Sequence, residues 1–350
     1  MHPHRHPPTR SGTVTHVRVA LGLVVVAACH PASAPAPASY DVHVDRRVEL
    51  LSTVEWLAGA PEYQRAPTTT YVGDVRRHFG PFASHPVVLA ARELRSQHGI
   101  SYDAPMTLAI SLDDHLALRT QPAEPRFAGV DLAPFVDQLR DFATQSGFEA
   151  FVAAHRAYYS RVEDRLRTAI AKEDPARWFD AFFGQRAGAH FTVVPGMLTG
   201  TWNYGPHEGD DLYQIIGVAR PDFDELPAVD DATIELLVHE MAHSYVNPVL
   251  AAHHAELEAG GSHAFAKVGD AMKKQAYTTW EIFLNESVVR AVVVLYTRER
   301  RGAAAADAAI AREEANAFMW TRSIADLLAT KRGDVAAAVP QIAQLLAAAN

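Results

Sequence analysis

The sequence predicts an α+β fold that is predominantly helical, with a small sheet packed on one motif-bearing helix. Three observations lead there. Apolar residues recur at helical spacing through most of residues 45–175. Two short β-branched or aromatic runs, "AHFTVVPGML" and "DLYQIIGVAR", follow between Gly, Pro and Asp punctuation. A His-Glu-x-x-His pattern then falls within an apolar stretch, "LLVHEMAHSYVNP".

Taken in order, residues 1–28 read as an export signal. Arg5, Arg10 and Arg18 come before the first acidic residue, Asp41, and "VALGLVVVAAC" is an apolar run too short to span a bilayer. It ends at Cys29, the chain's single cysteine. Val26-Ala27-Ala28-Cys29 resembles the bacterial lipobox, and that resemblance implies cleavage before Cys29 and its lipidation. A plain secretory signal with an incidental Cys29 is the alternative. Residues 29–44 contain "HPASAPAPAS", a Pro/Ala/Ser tether that cannot form a core. Losing residues 1–28 removes three arginines and no acid, which moves the net charge from −9 to −12. With no second cysteine, no internal disulfide can form.

Residues 45–180 form a helical N-terminal region. "RRVELLSTVEWLAG" and "HPVVLAARELRSQHG" end on Gly59 and Gly99, "DLAPFVDQLRDFATQSG" continues the pattern, and the long "FEAFVAAHRAYYSRVEDRLRTAIAKEDP" is stopped by Pro175. Residues 181–350 carry the strands and the motif. The composition, 48% hydrophobic and 21% charged, is that of a globular protein. A negative charge without a basic run excludes nucleic acid as a partner. No apolar run of membrane-spanning length occurs beyond the first thirty residues, so any membrane attachment is by the lipid anchor only.

In "HEMAH", His239 and His243 stand four apart, an offset of about 40° and about 6 Å along a helix. Both imidazoles leave one face and can converge on one zinc ion, while Glu240, about 100° round from His239, is placed as general base. Asp230 or Asp231 would cap this helix, and Asn247-Pro248 would end it. The apolar remainder (Ile234, Leu237, Val238, Met241, Ala242) buries the histidines, a cost that a metal would offset. A third ligand is needed. Positions 246 and 249 are both valine, so a downstream glycine and histidine do not supply it. "YTTWEIFLNESVVRAVVVLYTRER" holds Glu281 and Glu286, about 140° apart on a helix. Glu286 shares its face with Ile282, Phe283, Val289 and Val293, where an uncompensated carboxylate is costly, and is the favoured ligand over the wetter Glu281.

"HEMAH" followed by "FLNESVVRA" is similar to the gluzincin metallopeptidases. The resemblance implies a zincin-like catalytic core in residues 181–350, with His239, His243 and Glu286 as ligands of one Zn²⁺ and Glu240 as catalytic base. More closely, "RRVELLSTVEWLAGAPEY", "HPVV", "GISYDAPM", "HEMAHSYVNP" and "NESVVRA" resemble an uncharacterised bacterial family of zincins known as a domain of unknown function. Two departures stand out. About 40 residues separate His243 from Glu286, so "AAHHAELEAGGSHAFAKVGDAMKKQ" must form an inserted helix or loop. No histidine follows Glu286, which leaves His263, Tyr245, Tyr277 and Tyr204 as candidate oxyanion donors and Arg290 as a candidate partner orienting a ligand.

The expected function is a zinc-dependent hydrolase, a metallopeptidase acting on a peptide or protein substrate in the bacterial cell envelope. "AHFTVVPGML" is the expected edge strand for that peptide. An inactive zinc-binding surface lipoprotein, an envelope structural protein without metal, and a hydrolase of other carbonyl substrates are the alternatives.

Overall fold

The computed structural model describes residues 40–349, apart from 185, 187, 218, 219 and 333. The export signal, Cys29 and the tether up to residue 39 lie outside the described residues.

The chain enters through strand β1 (Tyr40–Val42) and passes into helix α1 (Arg46–Ala58). Residues 40–44 were expected to belong to the tether. They instead join the core, with Val42 and Val44 buried. Asp45 caps α1 by accepting from the Arg47 amide, and Gly59 ends it at φ 78°, a conformation that costs glycine little. There follow α2 (Thr70–Phe79), α3 (Pro86–His98), α4 (Ala104–Ile110), α5 (Ala133–Gln145) and α6 (Phe148–Glu173). Pro175 opens α7 (Pro175–Phe183), where its missing N–H would be unpaired in any residue.

Next come β2 (His190–Gly196), β3 (His207–Glu208) and β4 (Asp211–Gly217), in a sheet of order β1-β2-β4-β3. β1 and β4 each pair parallel with β2, and β3 pairs antiparallel with β4. The expectation that "AHFTVVPGML" forms an edge strand is therefore corrected. That segment is β2, flanked on both sides, because a strand about 150 residues upstream pairs with it (Phe191 opposite Tyr40). The free edge nearest the motif is the segment leading into β3.

Helix α8 (Asp231–Ala252) packs on this sheet, burying Ile234, Leu237, Val238, Met241 and Ala242, as the apolar pattern predicts. Asp230 caps it through a reciprocal box with Thr233. Contrary to expectation, α8 does not end at Asn247-Pro248. Pro248 cannot donate to the Ser244 carbonyl, and Arg186 Nη1 donates there instead at 2.9 Å. The expected insertion is helix α9 (His254–Lys274), followed by α10 (Trp280–Arg301), α11 (Ala303–Ala315), α12 (Thr321–Lys331) and α13 (Val335–Ala347). Helices α9 and α13 approach closely at Gly260, where a Cβ would lie 2.5 Å from the Ala343 carbonyl oxygen. α10 packs Phe283, Val288, Val289 and Val292 into the core beside α8. Among the described residues no helix is long and apolar enough to cross a membrane.

Candidate metal centre

α8 and α10 bring three donors together. His239 Nε2 lies 3.2 Å from His243 Nε2 and 3.5 Å from Glu286 Oε2, and His243 Nε2 lies 3.3 Å from Glu286 Oε1. His239, His243 and Glu286 are the one group of three or more His, Cys, Asp or Glu side chains with metal-binding proximity among the described residues. Glu281, the other sequence candidate, points elsewhere, near His254 (3.4 Å) in an exposed setting.

The donor set fits a metal ion in spacing and, at His239 and Glu286, in protonation. Donors of a tetrahedral zinc site, with bonds of about 2.0–2.1 Å, stand about 3.3 Å apart, the separation seen here. Burial drives the His239 imidazole down to about 3, so it is neutral. Burial alone would raise Glu286, but His239, His243 and Arg290 outweigh it and hold the carboxyl down at about 2, ionised. Neutral imidazole and ionised carboxylate are the forms that ligate. Burial also acts to lower His243, yet the Glu286 carboxylate beside it raises it. A proton on His243 is thus favoured by the same negative charge that would attract a cation.

Further side chains orient these three. His243 Nδ1 lies 3.2 Å from Asn247 Oδ1, which accepts from the ring there and turns Nε2 towards His239 and Glu286. Arg290 reaches Glu286 Oε2 (3.4 Å), donates to the Tyr277 hydroxyl (3.1 Å) and is anchored by Glu313 Oε2 of α11 (2.7 Å). Its guanidinium also lies 4.2 Å from the centre of the Phe318 ring. Asn247 and Glu313 were missed from sequence. Asn247 stands one turn after His243, a spacing that could have revealed it, whereas nothing in the sequence links Glu313 to Arg290.

Glu240 and the three donors line a cleft of about 530 Å³ with Asp103, Trp202, Asn203, Gly205 and Tyr277 among the other walls. Burial pushes the Glu240 carboxyl up to about 7. Gly205 is packed against it: a Cβ there would stand 3.1 Å from Glu240 Oε2. Tyr204 exchanges both backbone bonds with Ile215 of β4, and Pro206 accepts from Tyr213. Alternation turns the N–H and C=O of Gly205 between them away from β4.

Of the candidate oxyanion donors, Tyr277 lines the cleft, as do Arg290 and Tyr204. His263 does not: its Nε2 lies 2.9 Å from the Ala349 carbonyl oxygen at the α9–α13 contact. Tyr245 is also displaced. It stands two residues after His243, about 200° round α8, and packs among Phe179, Phe183 and Phe191.

Residues 41–332 match the family described as Domain of unknown function (DUF4932), and the chain belongs to that family. No curated protein and no solved structure matches the chain.

Proposed function

We propose that this member of the DUF4932 family is a zinc-dependent hydrolase of the zincin type that cleaves peptide bonds. The observation that carries the reading is the set of separations among His239, His243 and Glu286, 3.2 to 3.5 Å, which suits three ligands of one tetrahedral ion. Zinc bound there would supply Lewis acidity, polarising a carbonyl and making water more acidic.

The chain's own groups divide the remaining work. Asn247 and Arg290 fix the ligands in place. Glu240 Oε2 takes a proton from the attacking water and returns it to the leaving amine. Tyr277 brings a hydroxyl beside Glu286 that can donate to a substrate oxygen as it gains charge. The outward N–H and C=O of Gly205 offer backbone pairing to an extended peptide, which is why a peptide is favoured over other carbonyl substrates. From the lipobox-like Val26–Cys29 we also infer an exported chain, lipid-anchored through Cys29 in a bacterial envelope.

Elemental analysis of the untagged mature chain tests the centre. One zinc per chain is expected, lost in Glu286→Ala and kept in Glu281→Ala. Glu240→Gln is expected to keep zinc and cleave no member of a peptide library that the wild type cleaves. A folded wild type without zinc would overturn the reading. Zinc without any peptide cleavage would favour the inactive binding module.

A further inference from the structure

Beside the metal centre, and outside the machinery described so far, lies a second cavity of about 350 Å³. Its walls are chiefly Leu166, Pro195, Ile216, Pro227, Val229 and Leu236. Pro195 and Ile216 are register partners at the carboxyl ends of β2 and β4, so their side chains stand together on one face of the sheet. The polar features at its mouth are already partnered: Arg220 bonds Asp230 at 2.5 Å, and Asp230 caps α8. An apolar cavity of this kind has little to offer water.

Two links join it to the metal cleft. Leu236 lines both spaces. Asn203, on the cleft wall, accepts from the amide of Gly217, on the cavity wall, at 2.9 Å. Leu236 is also one of the few large apolar side chains left exposed, at 39%, on a helix that buries Ile234, Leu237, Val238, Met241 and Val246. It precedes Glu240 by four residues, about 6 Å along the helix. An extended peptide advances about 3.3 Å per residue, so the cavity lies within about two residues of the bond facing Glu240.

We infer that this cavity receives a bulky nonpolar side chain of the substrate, so that the enzyme cleaves next to Leu, Ile, Met or Phe. The inference rests on the peptide-hydrolase reading and specifies its substrate. Burying one such side chain is worth roughly ten- to a hundredfold in kcat/KM.

The test compares the wild type with Ala232→Trp, which places an indole at the cavity from an exposed position in the first turn of α8, and with Leu236→Asp, which puts a charge at the shared wall. All three are digested against one peptide library, with zinc content and circular dichroism checked for each. Wild-type cuts should cluster within two residues of a bulky apolar side chain, always on one side of the bond. Both variants should lose roughly ten- to a hundredfold on those peptides, and Ala232→Trp, which lies outside the metal cleft, should stay within about twofold on Gly- and Ala-only ones. Cleavage without that preference, or a preference untouched by both variants, overturns the inference. If the wild type cuts nothing, the neutral fluorophore N-phenyl-1-naphthylamine is titrated instead. Binding abolished in Ala232→Trp would keep the cavity as an apolar binding site while sinking the peptide reading; no binding would sink the cavity itself.

Discussion

Glu49 in α1 and Glu286 in α10 are both helical carboxylates set among apolar residues, and their surroundings treat them in opposite ways. Glu49 accepts from the Tyr71 hydroxyl at 2.5 Å and the Met197 amide at 3.1 Å, and the Tyr71 hydroxyl also meets that of Tyr159 at 2.9 Å. These are neutral partners, and burial pushes the Glu49 carboxyl up to about 7. Glu286 instead faces two imidazole nitrogens and a guanidinium, which hold it at about 2 in spite of burial. Neutral donors satisfy the geometry of a buried carboxylate but not its charge; positively charged neighbours, here Arg290 and a protonated His243, satisfy both. Only the second arrangement keeps a permanent negative charge inside the protein, ready to share with an added cation.

The sharpest way to break this comparison is to make the same change at both positions. Glu286→Gln removes the charge and should weaken zinc binding by more than the roughly 10- to 100-fold that loss of an outer partner costs. Glu49→Gln should leave zinc content and affinity unchanged, because Gln can accept from Met197 and donate towards Tyr71. Equal loss of zinc in both would show that buried carboxylates here are interchangeable supports.

Urea unfolding of the Glu49→Gln protein as a function of pH reads the second difference. The folded Glu49 carboxyl lies near 7, above its ordinary 4.5. Between those values the native state holds a proton that the unfolded chain has released. Wild-type stability from this group is therefore full below about 4.5 and lost as the pH rises through about 7. Gln does not titrate, so Glu49→Gln should gain on the wild type by roughly 1–3 kcal/mol between pH 5 and pH 8.5. A pH-independent gap between the two proteins would show that Glu49 is ionised in the fold.

The smallest effect is expected at Asn247. Asn247→Ala frees the His243 ring to rotate and change tautomer. It should weaken zinc about tenfold, or about 1.4 kcal/mol, measured by competition with a chelator. Asn247→Asp, which still accepts from Nδ1, should restore most of it. A failure of both variants to change affinity would show that packing alone orients the ring.

How much could be read from the chain follows the same division between local and distant partners. His239, Glu240 and His243 are legible because the helix repeat alone puts them on neighbouring faces. Glu286 is legible from its own apolar stripe, and Gly59, Gly99 and Pro175 mark helix ends by their backbone preferences. The misreadings all involve residues far apart in sequence. β2 has the β-branched composition of a strand, but whether it lies at an edge depends on Tyr40–Val42, which no local pattern connects to it. Pro248 reads as a stop until Arg186 takes the carbonyl it leaves unpaired. His263 and Tyr245 have suitable chemistry for an oxyanion donor, yet α9 and α8 turn them towards Ala349 and the phenylalanines. Glu313 acts only through Arg290, across a gap of 23 residues.

Strand β1 has one more consequence, in mechanics. It is three residues long, lies at the sheet edge, and receives any load applied through the chain ahead of Tyr40. The Tyr40 hydroxyl donates to Met241 Sδ, so the strand is tied to α8 as well as to β2, at a residue that stands between His239 and His243 in sequence. Tension on the segment ahead of Tyr40 is thus shared between the sheet, through β2, and the buried side of the motif helix, through Met241.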